Sequence, residues 1–266
     1  MKISIITVVF NDLKGLKKTV ASVLEQTSDD YEYIILDGGS TDGCIEYIKS
    51  LKFRGKYKSE PDSGIYNAMN KAVKMAEGDY CLFMNAGDTF YNSQIIEKAA
   101  GAMTDADIYV GHTIEIGENI LESKAPFPMT IQHLLKTSIY HQSTFTKREL
   151  LLKHPYNENH KIVSDWEFFF ERWLNNCSYE VLDFFVSYYY LGGYSFVHQD
   201  IIKTEREEVI NRLIPLRLRM ALTEQHEEKE KTQLEIKIDK AMKMSPVQRD
   251  LKILRNAFKA LLKDLF

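Results

Sequence analysis

Residues 85–88 read Asn-Ala-Gly-Asp. The apolar run Tyr80-Cys81-Leu82-Phe83-Met84 stops there, and a small loop delivers Asp88. A lone carboxylate at such a place does one of two things. It closes a turn on its own backbone, or it offers a hard oxygen ligand to a divalent cation. Other apolar runs also end in acids or amides. Asn11 and Asp12 follow Ile3 to Phe10, Asp37 ends the segment from Tyr31, and Glu60 and Asp62 follow a weaker run from Gly55. An acceptor at Asp37 could bind the N–H of a base or a sugar hydroxyl. Asp42, or Ser40, in the same Asp-Gly-Gly-Ser-Thr-Asp-Gly stretch reads as an N-cap in a tight turn. Neither a G-x-G-x-x-G fingerprint after the first run nor a P-loop is present.

These acids act together only if the fold brings them to one edge. Ile3 to Phe10 is the β-branched, apolar run of a strand covered on both faces. Leu16, Val20, Val23 and Leu24 then recur at helical spacing. Tyr31 to Asp37 is a second strand, and Ile45, Ile48 and Leu51 mark a short helix. Gly55 to Glu60 is a third strand. Ile65, Met69, Ala72, Val73 and Ala76 form a helix face, and Asp79 to Met84 is a fourth strand. This β-α alternation predicts an α/β fold with a mostly parallel sheet and flanking helices. Ligands then sit beyond the carboxyl ends of the strands, where the acids lie. Further on, Ile108 to His112 and Ile114 to Ile116 read as strands, Ser164 to Asn176 as an aromatic helix, and Tyr179 to Gly193 as two strands or a strand pair. Beyond about residue 200 glycine disappears and charge rises. The expected division is a domain over 1–205 and a helical C-terminal extension over 206–266.

The chain has 266 residues, 44% hydrophobic and 27% charged, with a net charge of -4. That is the composition of a globular protein with ample core. It lacks the basic excess of a duplex nucleic-acid binder. Three scattered cysteines, Cys44, Cys81 and Cys177, make no metal spacing and no disulfide framework. No stretch is long and apolar enough to span a bilayer. The expected location is the cytoplasm, with peripheral contact at the inner face of the membrane left open.

Taken in order, SIITVVFND, SVLEQT, YEYIILDGGSTDG, SEPDSGIYNAMNKAV and GDYCLFMNAGD resemble the family-2 type GT-A glycosyltransferases. The branch is the one that assembles bacterial capsule, exopolysaccharide or O-antigen repeats. The likeness is strong over the first half and weaker through HQSTF and SDWEFF to about GGYS. It implies a Rossmann-like GT-A fold, a nucleoside-diphosphate sugar donor, Mn2+ or Mg2+, and inversion at the anomeric carbon. The implied acceptor is a saccharide, free or lipid-linked, in surface polysaccharide biosynthesis. Asp88 matches the last acid of the family's DxD metal element, with Ala86 standing where the first acid would be. Asp37 matches the acid that reads the nucleoside, and Asp62 a donor-pocket acid. Asn11 lies where the donor pocket begins. Asp165 matches the catalytic base, with Glu167 as runner-up. His141 and Gln142 match a motif bordering the acceptor or donor sugar, and His198 a late histidine that approaches the metal in some relatives.

Each residue also has a plainer reading. Asp62 sits in a good turn sequence, Asp165 could cap the helix it opens, and a lone histidine such as His141 is more often packed core. Two rivals remain. A sugar-phosphate nucleotidyltransferase would carry a basic, Gly-rich loop after the first strand, and VVFNDLKGL is not one. A non-catalytic scaffold would use the fold and the C-terminal helices to hold a partner. Leu251, Leu254, Phe258, Leu261, Leu262 and Leu265 form an apolar stripe opposite Lys252, Arg255, Lys259 and Lys263. That pattern suits packing on the domain or on a second subunit, or an anionic membrane surface.

Overall fold

A computed structural model describes residues 2–51, 55–193 and 198–222. The chain divides into two compact units, Met1–Val209 and Ile210–Phe266. The stripe over 251–265 and the charged run over 224–240 lie outside the described residues.

The first unit opens with β1 (Ile3–Val9), α1 (Leu13–Leu24), β2 (Tyr31–Asp37), α2 (Cys44–Ser50), β3 (Gly55–Ser59), α3 (Ile65–Met75) and β4 (Tyr80–Phe83). The four strands pair in parallel in the order β3-β2-β1-β4. Every residue of β1 and β4 is buried, as their unbroken apolar runs require of strands covered on both faces. Two polar side chains in β1 are satisfied inside the core. Ser4 donates to Glu32 Oε1 at 2.6 Å, and Thr7 donates to the Met84 carbonyl at 2.7 Å. Outer strand β3 is largely exposed, which explains its weak apolar signal.

Next come β5 (Thr89–Phe90), α4 (Ile95–Ala102), β6 (Ile108–Ile116), β7 (Ile120–Ser123), α5 (Ile131–Lys136), a 3-10 turn (His141–Ser143), β8 (Thr144–Lys147), α6 (Arg148–Lys153), α7 (Ser164–Leu174), β9 (Tyr179–Tyr190) and α8 (Gln199–Leu213). The sheet continues from β4 through β8, β6 and β9 to β5, with β7 paired to β6. β8 runs antiparallel to both β4 and β6. This mixed sheet with flanking helices is the expected GT-A arrangement.

Three local expectations are corrected. Ile108–Ile116 is one strand, with an irregular register around Gly111, where an added Cβ would meet Val186 Cγ2 at 2.3 Å. Tyr179–Tyr190 is one 12-residue strand rather than two. α2 has Gly43 as its N-cap without a side-chain cap bond. Asp42 instead ties two loops, accepting from Leu13 N at 2.8 Å and Cys44 N at 3.2 Å.

The core-facing side of α1 holds Gly15, Leu16, Thr19, Val20 and Val23. Gly15 lets the helix start against the Asn85–Asp88 turn. A Cβ there would lie 2.9 Å from Gly87 N and 2.0 Å from Asp12 Oδ2. Overpacking of this kind costs about 1–3 kcal/mol. Gly15→Ala should therefore lower the melting temperature by about 2–12 °C, given roughly 2–4 °C per kcal/mol for a unit of this size. An unchanged melting curve would show that the contact relaxes freely.

Candidate active site

The carboxyl ends of β1, β2 and β4 bring the predicted acids to one edge. Asp37 closes β2 and is fully buried. Its Oδ2 accepts from Gly39 N and Ser40 N, both at 3.0 Å, and from Ser59 Oγ at 2.7 Å. Its Oδ1 is buried without a hydrogen-bond partner among the described residues. Such an atom is costly unless a ligand supplies the missing donor. Gly38 is flanked by two groups. A Cβ at Gly38 would meet Asp62 Oδ2 at 2.5 Å and Phe10 Cδ2 at 3.3 Å. Asp62 thus lies next to Asp37, in a turn in which Gly64 N donates to its Oδ1 at 2.9 Å. Phe10 follows β1 and is 64% exposed.

Asn11 is spent on the loop itself. Its φ is +50°. Its Oδ1 accepts from Thr41 N at 2.8 Å, and its own N–H donates to Ser40 Oγ at 2.7 Å. This fastens the loop after β1 to the loop after β2.

Thr19 holds the Asn85–Asp88 turn. Its buried hydroxyl lies 2.6 Å from the Asp88 carbonyl and 3.1 Å from that of Asn85, and it accepts from Gly87 N at 3.0 Å. Gly87 has φ +103°, a conformation that favours glycine. The Asp88 side chain is buried, and burial pushes its pKa up to about 7, partly opposed by His141 and Lys18. Among the described residues no hydrogen bond stabilises its charged form. Asn85 Oδ1, from the same turn, is also buried and has no hydrogen-bond partner among the described residues. Two oxygen atoms short of partners fit a hard cation such as Mg2+ or Mn2+. Among the described residues no group of three or more His, Cys, Asp and Glu could hold a metal. The fit is therefore a single-carboxylate site.

Asp165 reaches the same region from α7. Val163 is the N-cap of that helix, so Asp165 lies inside the first turn. Its Oδ1 accepts from Trp166 N at 2.8 Å and lies 2.9 Å from Tyr66 Oη. Tyr66 also donates to the Ile162 carbonyl. Its hydroxyl pKa is held well above the usual value by burial and by the charge of Asp165. Asp165 Oδ2 pairs with His141 Nδ1 at 2.9 Å, and His141 Nε2 lies 3.1 Å from Asn85 Nδ2. Burial pulls the imidazole pKa down, but the hydrogen bond and charge of Asp165, with the charge of Asp88, outweigh it and leave the pKa raised. A continuous chain, Tyr66–Asp165–His141–Asn85, thus joins α7 to the turn that carries Asp88.

The other candidates lie elsewhere. Gln142 is buried in the 3-10 turn. Glu167 is not brought to the cluster. It is buried on α7, where His160 Nδ1 approaches its Oε2 at 2.6 Å and Asn157 donates to it. His198 is half-buried just ahead of α8, with Ile202 N donating to its carbonyl at 3.2 Å.

Residues 4–160 match the model of glycosyl transferase family 2. The chain belongs to that family. An uncharacterized glycosyltransferase of Mycobacterium tuberculosis is 31% identical over 175 residues, covering 62% of this chain and 66% of that protein. The match thus spans just under two thirds of that relative. A "PGL/p-HBAD biosynthesis glycosyltransferase" of Mycobacterium bovis is 31% identical over 173 residues, covering 62% and 67%. Among solved structures, Staphylococcus aureus TarS 1-349 in complex with UDP-GlcNAc has a TM-score of 0.63 at 19% identity, covering 81% of this chain and 67% of that one. A mannosyltransferase of Pyrobaculum calidifontis in complex with GDP-Man and Mn2+ has a TM-score of 0.56 at 14% identity, covering 73% and 58%. At those identities the likeness establishes the fold.

The family match ends before Asp165, so α7 rests on the geometry alone. Sequence reasoning missed Tyr66, Thr19 and Phe10. Thr19 was findable, because it interrupts the apolar face of α1 between Leu16 and Val23. The Tyr66 hydroxyl left no trace, since its ring also satisfies the apolar pattern of α3.

Asp88 yields a prediction whose sign is fixed by the direction of its shift. A carboxyl with a folded pKa raised to about 7 favours the neutral folded form. That contribution is complete below the unfolded pKa near 4 and is lost as pH rises through about 7. In chelator, Asp88→Asn should melt close to wild type at pH 4 and above it at pH 8. The gain should reach on the order of 4 kcal/mol. A difference that does not change with pH would contradict the burial of an unpaired charge.

Proposed function

We propose that the protein is an inverting, metal-dependent glycosyltransferase. It moves a sugar from a nucleoside-diphosphate donor to a saccharide acceptor, free or lipid-linked, in surface polysaccharide biosynthesis. The observation that carries this reading is His141, hydrogen-bonded to Asp165 and electrostatically coupled to Asp88. A transferase needs its proton acceptor and its leaving-group site on either side of one sugar, and these two acids border the same histidine.

Asp37 Oδ1 would accept an N–H of the base, relieving an orphaned acceptor. The ring of Phe10 offers a face against which the base can lie, with Asp62 beside it. Asp88 and the Asn85 amide oxygen would hold Mg2+ or Mn2+, and donor phosphates would complete the shell. When bound, the cation neutralises charge on the departing diphosphate. Lys18, close enough to oppose the Asp88 shift, adds positive charge on the same side.

Asp165 is the proposed base. A carboxylate has about four lone-pair sites. Tyr66 and Trp166 N lie on Oδ1 and His141 on Oδ2, which leaves one site on Oδ2 for the acceptor hydroxyl. As the hydroxyl attacks the anomeric carbon, its proton passes to that oxygen. The side chain is 14% exposed, so the proton acceptor is partly shielded from water. A lipid-linked acceptor would place the reaction at the cytoplasmic face of a membrane. Among the described residues no helix is long and apolar enough to cross one.

Calorimetry with UDP-, GDP- and dTDP-sugars, with and without Mn2+, tests the donor assignment. One class should bind, with affinity at least tenfold higher in Mn2+, and Asp88→Ala should abolish the metal increment. Asp165→Asn should reduce transfer by about 10²–10⁴, the usual span for general acid–base catalysis, with donor affinity within twofold. Absence of binding to every donor sinks the transferase reading. Undiminished turnover by Asp165→Asn removes Asp165 as the base.

A further inference from the structure

α8 follows the matched segment, and two adjacent residues on it grip the structure around Asp165. The Glu205 carboxylate is 8% exposed. Its Oε1 accepts from Lys161 N at 2.6 Å, and its Oε2 accepts from Ile162 N at 3.0 Å and Val163 N at 3.2 Å. Three successive amides converging on one carboxylate form an anion nest. The turn they belong to leads directly into α7, whose N-cap Val163 has no capping side chain. The Ile162 carbonyl in the same turn takes the Tyr66 hydroxyl, which also lies on Asp165.

Arg206 grips the opposite side. Its Nη2 donates to the Thr137 carbonyl at 2.9 Å and the Leu134 carbonyl at 3.4 Å, and its Nη1 to the Lys136 carbonyl at 3.3 Å. Those are the last carbonyls of α5, where a cation is favoured. Its guanidinium lies 4.4 Å from the centroid of the Trp166 ring, within cation–π range. Trp166 Nε1 in turn donates to the Leu134 carbonyl at 2.6 Å. The segment leaving α5 runs on to His141. One side chain therefore sets the backbone before Asp165, and the next ties Trp166 to the segment before His141.

We infer that Glu205 and Arg206 are positioning residues that hold the Asp165–His141 pair in its reactive geometry. Neither touches the proposed donor site. This rests on Asp165 being the base. Reacting groups displaced by about 1 Å can lose roughly 100-fold in rate. Loss of this grip should therefore slow the chemistry and leave donor affinity alone. Replacing Glu205 by Gln keeps the shape but turns an N–H2 toward backbone donors. Replacing Arg206 by Lys keeps the charge and loses the planar fork.

The test uses the full chain, the donor that binds in the calorimetric panel, and water as acceptor. The readout is release of nucleoside diphosphate at saturating donor, beside donor Kd and melting temperature. Glu205→Gln and Arg206→Lys should each slow release at least tenfold, with Kd within twofold of wild type. Release at the wild-type rate by the folded variants overturns the proposal. So does a rise in Kd that parallels the loss of rate, since that marks general loosening. If Glu205→Gln does not fold, Arg206→Lys decides by the same criteria. Asp165→Asn, run alongside, separates the two ideas. If it releases at the wild-type rate, the base assignment itself falls, and with it this proposal. If it is slow while the α8 variants are fast, only the positioning role falls.

Discussion

A carboxylate held out of water without a hydrogen-bond donor loses hydration, and among the described residues Asp88 is in that state. A mobile loop would relieve the cost by turning the side chain outward. This loop is pinned. Thr7 holds the Met84 carbonyl, Thr19 holds Asn85 and Asp88 through their carbonyls, and Ala86 N donates to Val8 at 3.2 Å. Gly15 and Gly87 permit the approach of α1 that makes this possible. The rigidity of the first four strands is thus converted into an electrostatic demand at one point. In the proposed reading a cation with a donor's phosphates would meet it, and with one carboxylate the metal and the donor would depend on each other.

His141 connects that demand to Asp165, the proposed base. Its two ring nitrogens face partners of different kinds, the Asp165 carboxylate and the Asn85 amide. A neutral ring donates from Nδ1 to Asp165 and accepts at Nε2 from Asn85 Nδ2. A protonated ring would need the Asn85 amide turned so that Oδ1 accepts. The orphaned Oδ1 would then gain a partner. The amide and the imidazole therefore share one choice of proton arrangement. The charge of Asp88, which raises the His141 pKa, biases that choice toward the protonated ring. Coupling of this sort runs through a few hydrogen bonds and requires no movement of the sheet.

Legibility from sequence followed burial. β1 and β4 were plain because both faces are covered, and Asp37 and Asp88 were found because they interrupt apolar runs at the ligand edge. β9 was split in the reading because its burial is uneven along its length, so the apolar signal of one long strand looked like two. Glu167 stood as runner-up to Asp165, and both fall in the first turn of α7. Side-chain direction separates them, sending one to His141 and the other to His160. Tyr66, the partner of Asp165 that went unnoticed, was invisible for a different reason. Tyr66 is 99 positions away in sequence, and nothing local in α3 records that its hydroxyl is used.

The proposed donor and acceptor halves differ physically in how each is held. The proposed donor edge is built from strand ends and adjacent loops, whose positions follow from parallel pairing and recur wherever that pairing recurs. Asp165 instead sits on a helix whose approach to the sheet is fixed by side chains from α3 and α8. Tyr66 comes from within the family match, and Glu205 and Arg206 from beyond it. If Asp165 faces the acceptor as proposed, a site assembled this way would let that side change through α8 and the α5 segment while the strand-end acids stay in register. It also explains why buried charge is used at Glu205. A neutral cap would satisfy one or two of the amides over 161–163, whereas a carboxylate can take all three and add a charge interaction with the N-terminus of α7.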